Sequence, residues 1–252
     1  MYEDHQAFVK PANVNVKIWR YLDFTKFVDL LIKSELFFTR CDKLEDPFEG
    51  SYPQANFILR ELRSDLFKDG APTPVIKELA RITYQQFRKY MVVNCWHINE
   101  FESAAMWNLY LKSNEGIAIQ STYNRLISSF NGDSSYTIHV GLVQYIDYKN
   151  YFMPEGNLFF PFLHKRISYE HEHELRALIM MPIPSKDGKL DFSSEPSFEG
   201  KNVPVNLDVL IDNIFVCPFA PSWFLDLVKN VLIKFNIGKE VKQSQLLESP
   251  FY

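Results

Sequence analysis

Charged and titratable side chains are concentrated in residues 164–176, which hold three of the six histidines of the chain. If residues from His171 onward form a strand, their side chains alternate between its two faces. Neighbouring carboxylates that lose solvent cannot all stay ionised, so one must hold its proton more tightly or pair with a cation. Carboxylates of this kind serve as acids, bases and charge stabilisers in enzymes. One face of this strand would carry Glu170, Glu172, Glu174 and Arg176, and the other face His171, His173 and Leu175.

The same charges have a second interpretation, in which a solvated strand end forms ion pairs with neighbouring strands. A metal site is not expected, because His171 and His173 have no third ligand at a recognised spacing and the HExxH motif is absent. The sequence assigns no role to the three histidines His164, His171 and His173 of this stretch.

Several common catalytic motifs are absent. The nine glycines all stand alone, so neither a P-loop nor a GxGxxG motif can be assembled. The three cysteines lie far apart, which predicts neither a disulfide framework nor a zinc site, and Cys95 beside His97 is expected to be structural. Asp46 and Pro47 predict a turn, and the alternative is that Asp46 or Glu49 lies at the rim of a cleft.

The composition excludes several classes of protein. With 46% hydrophobic and 23% charged residues, the chain of 252 residues is not a disordered protein. Its net charge of −4 argues against a protein whose main role is to coat nucleic acid. The N-terminal residues contain no apolar signal core, and no stretch is apolar for long enough to span a bilayer. We therefore expect a soluble, cytoplasmic protein that does not act in a membrane.

The order of elements predicts an α+β fold: a mixed, mostly antiparallel sheet, whole or split, with packed helices and an inserted helical pair. A single domain covers residues 1–252, with the helical insertion at 51–90. Residues 182–202 are rich in Pro, Ser and Gly and lack an apolar period, which predicts a mobile loop.

The opening of the chain predicts a strand over residues 17–22, capped by Asp23 and followed by a helix. A long strand is predicted from Thr137, and a helical pattern runs from Ser103 to Leu111. The buried face of the first helix should consist of Phe27, Leu30 and Leu31.

Four blocks of the chain, in this order, resemble a bacterial family, the domain-of-unknown-function family 2971. The blocks are WRYLDFTKFVDLLIKSELFFTRCDKLEDPFEG, NCWHINEFESAAMWNLYLKSNEGIAIQ, HKRISYEHEHELRALI and NIFVCP. The chain departs from the family pattern at Glu45, at His97 and at Tyr169, which replace an Asn, a Ser and a Trp. The resemblance implies a connection with abortive infection and phage defence, and no settled biochemical activity.

The layout is also similar to that of ADP-ribosyltransferases, which have a basic residue on a first strand, a hydroxyl residue on a second and an E-x-E pair on a late strand. This resemblance implies cleavage of the nicotinamide glycosidic bond of NAD without a GxGxxG motif and without a metal. A carboxylate would stabilise the oxocarbenium-like state, and an arginine would hold the pyrophosphate. The implied catalytic residues are Glu174, Glu172 and Thr39, and the implied cofactor-binding residues are Arg20, Tyr21 and Trp107.

Two of these assignments carry further expectations. Glu174→Gln should abolish nicotinamide release and leave thermal stability nearly unchanged. Trp107 has an alternative interpretation as a core residue, since it lies beside Met106 on a helix.

The sequence thus leaves two functional hypotheses. The first is an NAD-consuming, ADP-ribosyltransferase-like enzyme of bacterial phage defence or a toxin system, with a protein or nucleic-acid acceptor and a cognate toxin or antitoxin as a partner. The alternative is a non-catalytic sensing or antitoxin-like module that binds a partner protein. The enzyme requires Arg20, Thr39, Glu172 and Glu174 to converge on one pocket, and the module does not.

Overall fold

The computed structural model describes residues 1–66, 73–111, 113–130, 135–250 and 252, and for residues 61–66 and 73–80 it describes the backbone alone. The helices are α1 (Phe24–Lys33), α2 (Gln54–Leu66), α3 (Thr73–Tyr90), α4 (Ala104–Tyr110), α5 (Tyr123–Ser129), α6 (Leu207–Leu210) and α7 (Ser222–Lys234). The strands are β1 (Lys17–Asp23), β2 (Glu35–Arg40), β3 (Met91–Ile98), β4 (Gly116–Thr122), β5 (His139–Leu142), β6 (Gln144–Ile146), β7 (His164–Arg166), β8 (Glu174–Met180), β9 (Ser185–Lys186), β10 (Lys189–Leu190), β11 (Gly200–Pro204), β12 (Asn213–Val216) and β13 (Val241–Gln243).

The main sheet is mixed and mostly antiparallel, which confirms the predicted α+β fold. Its strands follow the order β11-β2-β3-β1-β4-β12-β13, and β8 joins β3 to β5. Within this sheet the β12–β13 pair is parallel and the other described pairs are antiparallel. Short strands form two further pairs, β6 with β7 and β9 with β10.

The sheet is split at β3. One edge of β3 pairs with β8 from Met91 to His97. The other edge pairs with β2 only at Val92 and Val93, and with β1 only at His97 and Ile98. Strands β1 and β2 therefore diverge from a common neighbour, and residues 94–96 of β3 face the gap between them.

The largest apolar core lies on one face of this sheet. Asp23 caps α1 by accepting from the backbone N–H of Lys26, and Phe27, Leu30 and Leu31 form the buried face of the helix, as predicted. Strand alternation turns Ile18 and Leu22 toward the same core. Burial of the apolar face, rather than helix propensity, thus holds α1 against the sheet.

The predicted helical pair is present as α2 and α3, which lie between β2 and β3 in the chain. Phe87 of α3 packs in a second apolar cluster with Met91, Val93 and Leu178. The connection at residues 67–72 lies outside the described residues. That the pair is an insertion within a single domain stays a prediction.

Two predicted strands are wrong in their extent. The strand expected from Thr137 is interrupted at Val143. The N–H of Val143 still donates to Glu174 of β8, whereas the N–H of Gln144 donates to Leu163 and β6 pairs with β7, so β5 and β6 belong to different sheets. The strand expected from His171 begins only at Glu174. Residues 167–172 form a 3₁₀ turn instead, and His173 leaves it in the left-handed conformation with φ of 40°.

Among the described residues, none of the helices combines the length and the apolar character that crossing a membrane requires.

The segment 182–202 contains more structure than its composition predicts. Its first part is the exposed β9–β10 hairpin. The ring of Phe192 then packs against those of Phe87 and Tyr90, with centroids 5.5 and 5.9 Å apart, and the ring of Phe198 packs against that of Tyr90, with centroids 6.2 Å apart. The last residues of the segment belong to β11, which pairs with β2, so the predicted loop is too long at this end. Its mobility stays a prediction.

We expect limited proteolysis to cut this segment first at the exposed turn around Asp187 and Gly188, both with positive φ. The aromatic contacts of Phe192 and Phe198 should delay cleavage beyond the hairpin. Mass spectrometry of the earliest fragments tests this, with Phe192→Ala as the variant expected to become sensitive there. Equally early cleavage near Phe198 in the wild type would contradict it.

Candidate active site in the split of the sheet

A cavity of about 530 Å³ occupies the split between β1 and β2. Its walls come from β1, α1, β2, the central part of β3, α4 and the residues that lead into β8. Five of the six residues predicted for the site line this cavity, and Trp107 does not. The five are Arg20, Tyr21, Thr39, Glu172 and Glu174.

Arg20 reaches into the gap that the diverging strands leave. Its Nη1 donates to the carbonyl oxygen of Cys95 at 2.8 Å, and its guanidinium lies 5.9 Å from the ring of Trp96. No carboxylate of the described residues pairs with it, and burial lowers its pKa. An arginine remains protonated even so. The cavity thus contains a cation whose charge no neighbouring side chain neutralises.

Tyr21 and Trp107 are held by the core beneath the cavity. The hydroxyl of Tyr21 accepts from the backbone N–H of Ser103 at 2.8 Å, and its ring meets Trp107 edge-on at 4.9 Å. Trp107 is 3% exposed and donates from Nε1 to Glu102 at 2.9 Å. The core interpretation of Trp107 therefore fits its position, and the predicted contact with a cofactor does not.

Arg176 is the centre of a buried network of charges beside the cavity. It is 1% exposed, and Nε and Nη2 donate to the two oxygens of Glu174 at 2.7 and 3.0 Å. Nη1 and Nη2 donate to the two oxygens of Glu49 at 2.8 and 3.2 Å, and Nη1 also donates to the carbonyl of Phe162 at 2.7 Å. All five N–H donors of the guanidinium are thereby satisfied.

Lys165 extends the network to the cavity. Its ammonium lies 2.6 Å from Oε2 of Glu172 and 3.4 Å from an oxygen of Glu174 and of Glu49. Glu172, Glu174 and Glu49 carry three negative charges against the two positive charges of Lys165 and Arg176. The network is thus one positive charge short of neutrality.

The two cavity carboxylates respond in opposite ways to this environment. Burial acts to raise the pKa of Glu174, but Arg176 and Lys165 together lower it to about 2. Burial raises the pKa of Glu172 above its usual range, against the attraction of Lys165. The Oε1 atom of Glu172 has no hydrogen-bond partner among the described residues, whereas both oxygens of Glu174 are paired. Glu172 is therefore the carboxylate with an oxygen available to a ligand.

The cavity is also lined by residues that the sequence did not assign to it, among them His97, Cys95 and Tyr110. His97 presents Nδ1 to the carbonyl of Glu172 at 2.6 Å, while its buried Nε2 has no partner among the described residues. Burial lowers the pKa of His97, so Nδ1 carries the proton of a neutral ring. Burial raises the pKa of the Cys95 thiol, in line with its structural interpretation. Burial also raises the pKa of Tyr110, whose hydroxyl is within electrostatic range of Glu172 and Glu174.

A sequence signal existed for two of these side chains. Val93, Cys95 and His97 alternate along β3 and point to one face, opposite Glu174 and Arg176 of β8. The sequence placed Tyr110 in a helical pattern, but it gave no indication that this half-exposed residue lines the cavity.

The histidines of residues 164–176 lie apart. His164 is buried, with Nδ1 at 2.7 Å from the carbonyl of Phe160, and it does not line the cavity. His171 and His173 are exposed. Within the described part of the chain, no group of three or more His, Cys, Asp or Glu side chains is placed to hold a metal ion.

Comparison with known proteins gives no family assignment. No protein-family model matches the chain, and no curated protein matches it, so the resemblance to family 2971 is not confirmed. Among solved structures, the chain is similar to Thermus sp. 2.9 DarT in complex with NAD+, with a TM-score of 0.42, 8% identity and coverage of 94% of this chain and 98% of that chain. It is also similar to Thermus sp. 2.9 DarT in complex with ADP-ribosylated ssDNA, with a TM-score of 0.40, 9% identity and coverage of 94% and 95%.

The network predicts a large structural effect of Glu174→Gln. Loss of one partner from a buried ion pair costs about 3–5 kcal/mol, because it leaves the other charge poorly compensated. We expect the variant to lose about 3 kcal/mol or more in the free energy of unfolding, measured with urea. This replaces the expectation from sequence that stability is nearly unchanged. Glu170→Gln, an exposed neighbour, should change stability by less than about 0.5 kcal/mol. Equal stability of the two variants would contradict the prediction.

The difference between wild type and Glu174→Gln should also depend on pH. The pKa of Glu174 is about 2 in the folded protein, against an ordinary value of 4.5. A carboxylate with a lowered pKa stabilises the fold above its unfolded pKa, and this contribution disappears as the pH falls through the folded pKa. The difference in unfolding free energy should therefore shrink as the pH falls from 4.5 toward 2. A constant difference would contradict the ion-pair interpretation.

Proposed function

We propose that this chain is an NAD-consuming, ADP-ribosyltransferase-like enzyme and that the cavity in the split sheet is its active site. The observation that carries the proposal is the meeting of Arg20, Thr39, Glu172 and Glu174 in one cavity. These residues come from β1, β2, the turn before β8 and the first position of β8, and the folding of the sheet brings them together. The enzyme hypothesis requires these four residues to share one pocket, and the binding-module hypothesis does not.

The charges of the cavity suit the two charged parts of NAD. Arg20, which has no carboxylate partner among the described residues, would bind the pyrophosphate through charge-assisted hydrogen bonds. The network around Glu172 lacks one positive charge, and the positively charged nicotinamide end of NAD would supply it. A ligand that carries an anionic and a cationic group would thus compensate both Arg20 and the network around Glu172.

The same arrangement supports cleavage of the nicotinamide glycosidic bond. When the bond between the ribose C1′ and the nicotinamide nitrogen breaks, its electron pair leaves with nicotinamide and positive charge develops on the ribose. A fixed carboxylate beside the ribose stabilises this charge more in the transition state than in the ground state. The acceptor nucleophile then attacks C1′ and releases its proton.

The geometry favours Glu172 over Glu174 for this role. Oε1 of Glu172 is available to accept from a ribose hydroxyl, while Lys165 fixes Oε2. Both oxygens of Glu174 are engaged by Arg176 and Lys165, so Glu174 holds Lys165 in place. Thr39 and Tyr21 would complete the cavity wall beside the ligand.

The acceptor and the biological setting belong to the proposal as well. A protein or a nucleic acid would receive the ADP-ribose group, and the setting would be a bacterial phage-defence or toxin system with a cognate toxin or antitoxin. The second candidate is a non-catalytic sensing or antitoxin-like module. The pairing of Glu172 with Lys165 and the saturation of Glu174 favour it, because paired carboxylates also serve a purely structural role.

We expect the purified protein to bind NAD and to release nicotinamide, detected chromatographically, with single-stranded DNA and protein tested as acceptors. Glu172→Gln should lower release by about 100-fold or more and weaken NAD binding by a much smaller factor, because the carboxylate acts mainly in the transition state. Arg20→Gln should weaken NAD binding by about 10- to 100-fold, the equivalent of one charged hydrogen bond.

Glu170→Gln is the matched control for Glu172→Gln, since it removes an exposed carboxylate two residues away. It should leave both binding and release unchanged. Absence of NAD binding at millimolar concentration would contradict the proposal. Binding of NAD without release, unaffected by Glu172→Gln, would favour the sensing module.

A further inference from the structure

The excess negative charge of the buried network has a definite location. Glu49 is 2% exposed and does not line the cavity, and its two oxygens are held by Arg176. Glu174 is held by Arg176 and Lys165. Among the described residues, Lys165 is the one cation paired with Glu172, and Glu172 is the most exposed of the three carboxylates. Of the two carboxylates that line the cavity, the more exposed one, Glu172, is therefore also the less compensated one.

We propose that Glu49 and Lys165 are positioning residues that set the protonation state of Glu172. Glu49 acts from outside the cavity. Glu49 adds a negative charge behind the network, and Lys165 supplies the only cation in contact with Glu172 among the described residues. The catalytic meaning of this control rests on the function proposed above for Glu172. The charge balance itself rests on the contacts alone.

Burial holds four of the groups around Glu172 in one charge state near neutral pH. Burial raises the pKa of the Cys95 thiol and of the hydroxyls of Tyr110 and Tyr145, so these three stay protonated. Burial lowers the pKa of His97, so it stays neutral. The charged and titratable groups around Glu172 and its partners are Lys165 of β7, Glu174 and Arg176 of β8, Glu49 of the turn after β2, Cys95 and His97 of β3, Tyr110 of α4, Tyr145 of β6 and Tyr169 of the 3₁₀ turn. His171 and His173 are its neighbours in the chain and are exposed.

The direction in which the pKa of Glu172 changes can therefore be predicted for the removal of either positioning residue. Without the charge of Glu49, the network becomes neutral and ionisation of Glu172 becomes easier, so the pKa of Glu172 falls. Without Lys165, Glu172 loses its only cation and lies beside Glu174, so its pKa rises. A role confined to folding would not move the pKa in opposite directions in the two variants.

The variants differ in their demands on the fold. Glu49→Gln keeps the shape of the side chain and one oxygen that can accept from Arg176, but its amide replaces the second acceptor, so we expect it to lose stability as Glu174→Gln does. Lys165→Met leaves three carboxylates without the cation that they share, and Lys165→Arg restores the charge. Asp46→Asn is the matched control: Asp46 lies in the same turn as Glu49 but pairs with Arg166, at 2.8 Å, outside the network.

The test is a carbon NMR titration of ligand-free protein with ¹³C-labelled glutamate carboxyls, in which Glu172→Gln assigns the signal. We expect Glu49→Gln to lower the pKa of Glu172 by about one unit and Lys165→Met to raise it by about one unit or more. Lys165→Arg and Asp46→Asn should stay close to wild type. An unchanged or raised pKa of Glu172 in Glu49→Gln overturns the inference. If Lys165→Met does not fold, the Glu49→Gln titration is sufficient for the test.

Nicotinamide release over a pH series separates this inference from the proposed function. The acid limb of the rate should move with the NMR pKa, downward in Glu49→Gln and upward in Lys165→Met. If nicotinamide is released but the acid limb of the pH–rate profile is the same in Glu49→Gln as in wild type, the inference is overturned while the proposed activity is supported. Shifts in the NMR pKa without release from any variant support the charge balance and contradict the enzyme.

Discussion

The buried guanidinium of Arg176 is the group on which the surrounding structure depends. A charge removed from water costs several kcal/mol unless it is paired and hydrogen-bonded, so the fold must supply a partner for each of its five N–H donors. Those partners come from three places in the chain: Glu49 after β2, the carbonyl of Phe162 before β7, and Glu174 at the start of β8. The need to satisfy one side chain thus fixes a turn, a loop and a strand end relative to one another, and these are the segments that bring Glu172 to the cavity.

Whereas the donors of Arg176 are all paired, the split of the sheet leaves part of one edge of β3 without strand partners. Where β1 and β2 diverge, residues 94–96 lose their ladder partners along one edge, and buried backbone groups must find others. The carbonyl of Cys95 accepts from Arg20, and the side chain of Asn94 donates to the carbonyl of Phe37. Arg20 is therefore held in the gap by the backbone and not by a carboxylate. The same feature that opens the cavity also leaves a cation within it.

The sequence predicted those elements whose signals are local. The Asp23 cap and the apolar spacing of Phe27, Leu30 and Leu31 define α1 without help from the rest of the chain. The strand predicted from His171 was wrong because the turn through residues 167–172 depends on the left-handed conformation of His173, which a non-glycine residue reveals only in the folded chain. The preference for Glu172 over Glu174 as the carboxylate with a free oxygen also depends on the folded chain, because it follows from which oxygens Arg176 and Lys165 occupy.

The grouping of Arg20, Thr39, Glu172 and Glu174 came from a resemblance in layout, and spacing alone could not have produced it. Three-dimensional pairing decides which charges of this chain are structural and which are available. Arg176 and Glu174 compensate each other fully, so they stabilise the fold and offer little to a ligand. Arg20 and Glu172 are only partly compensated, which lowers stability, and a folded protein keeps such charges where a ligand can complete them. The incomplete pairing of these two residues in one cavity is thus the strongest physical reason to regard the cavity as a site of function.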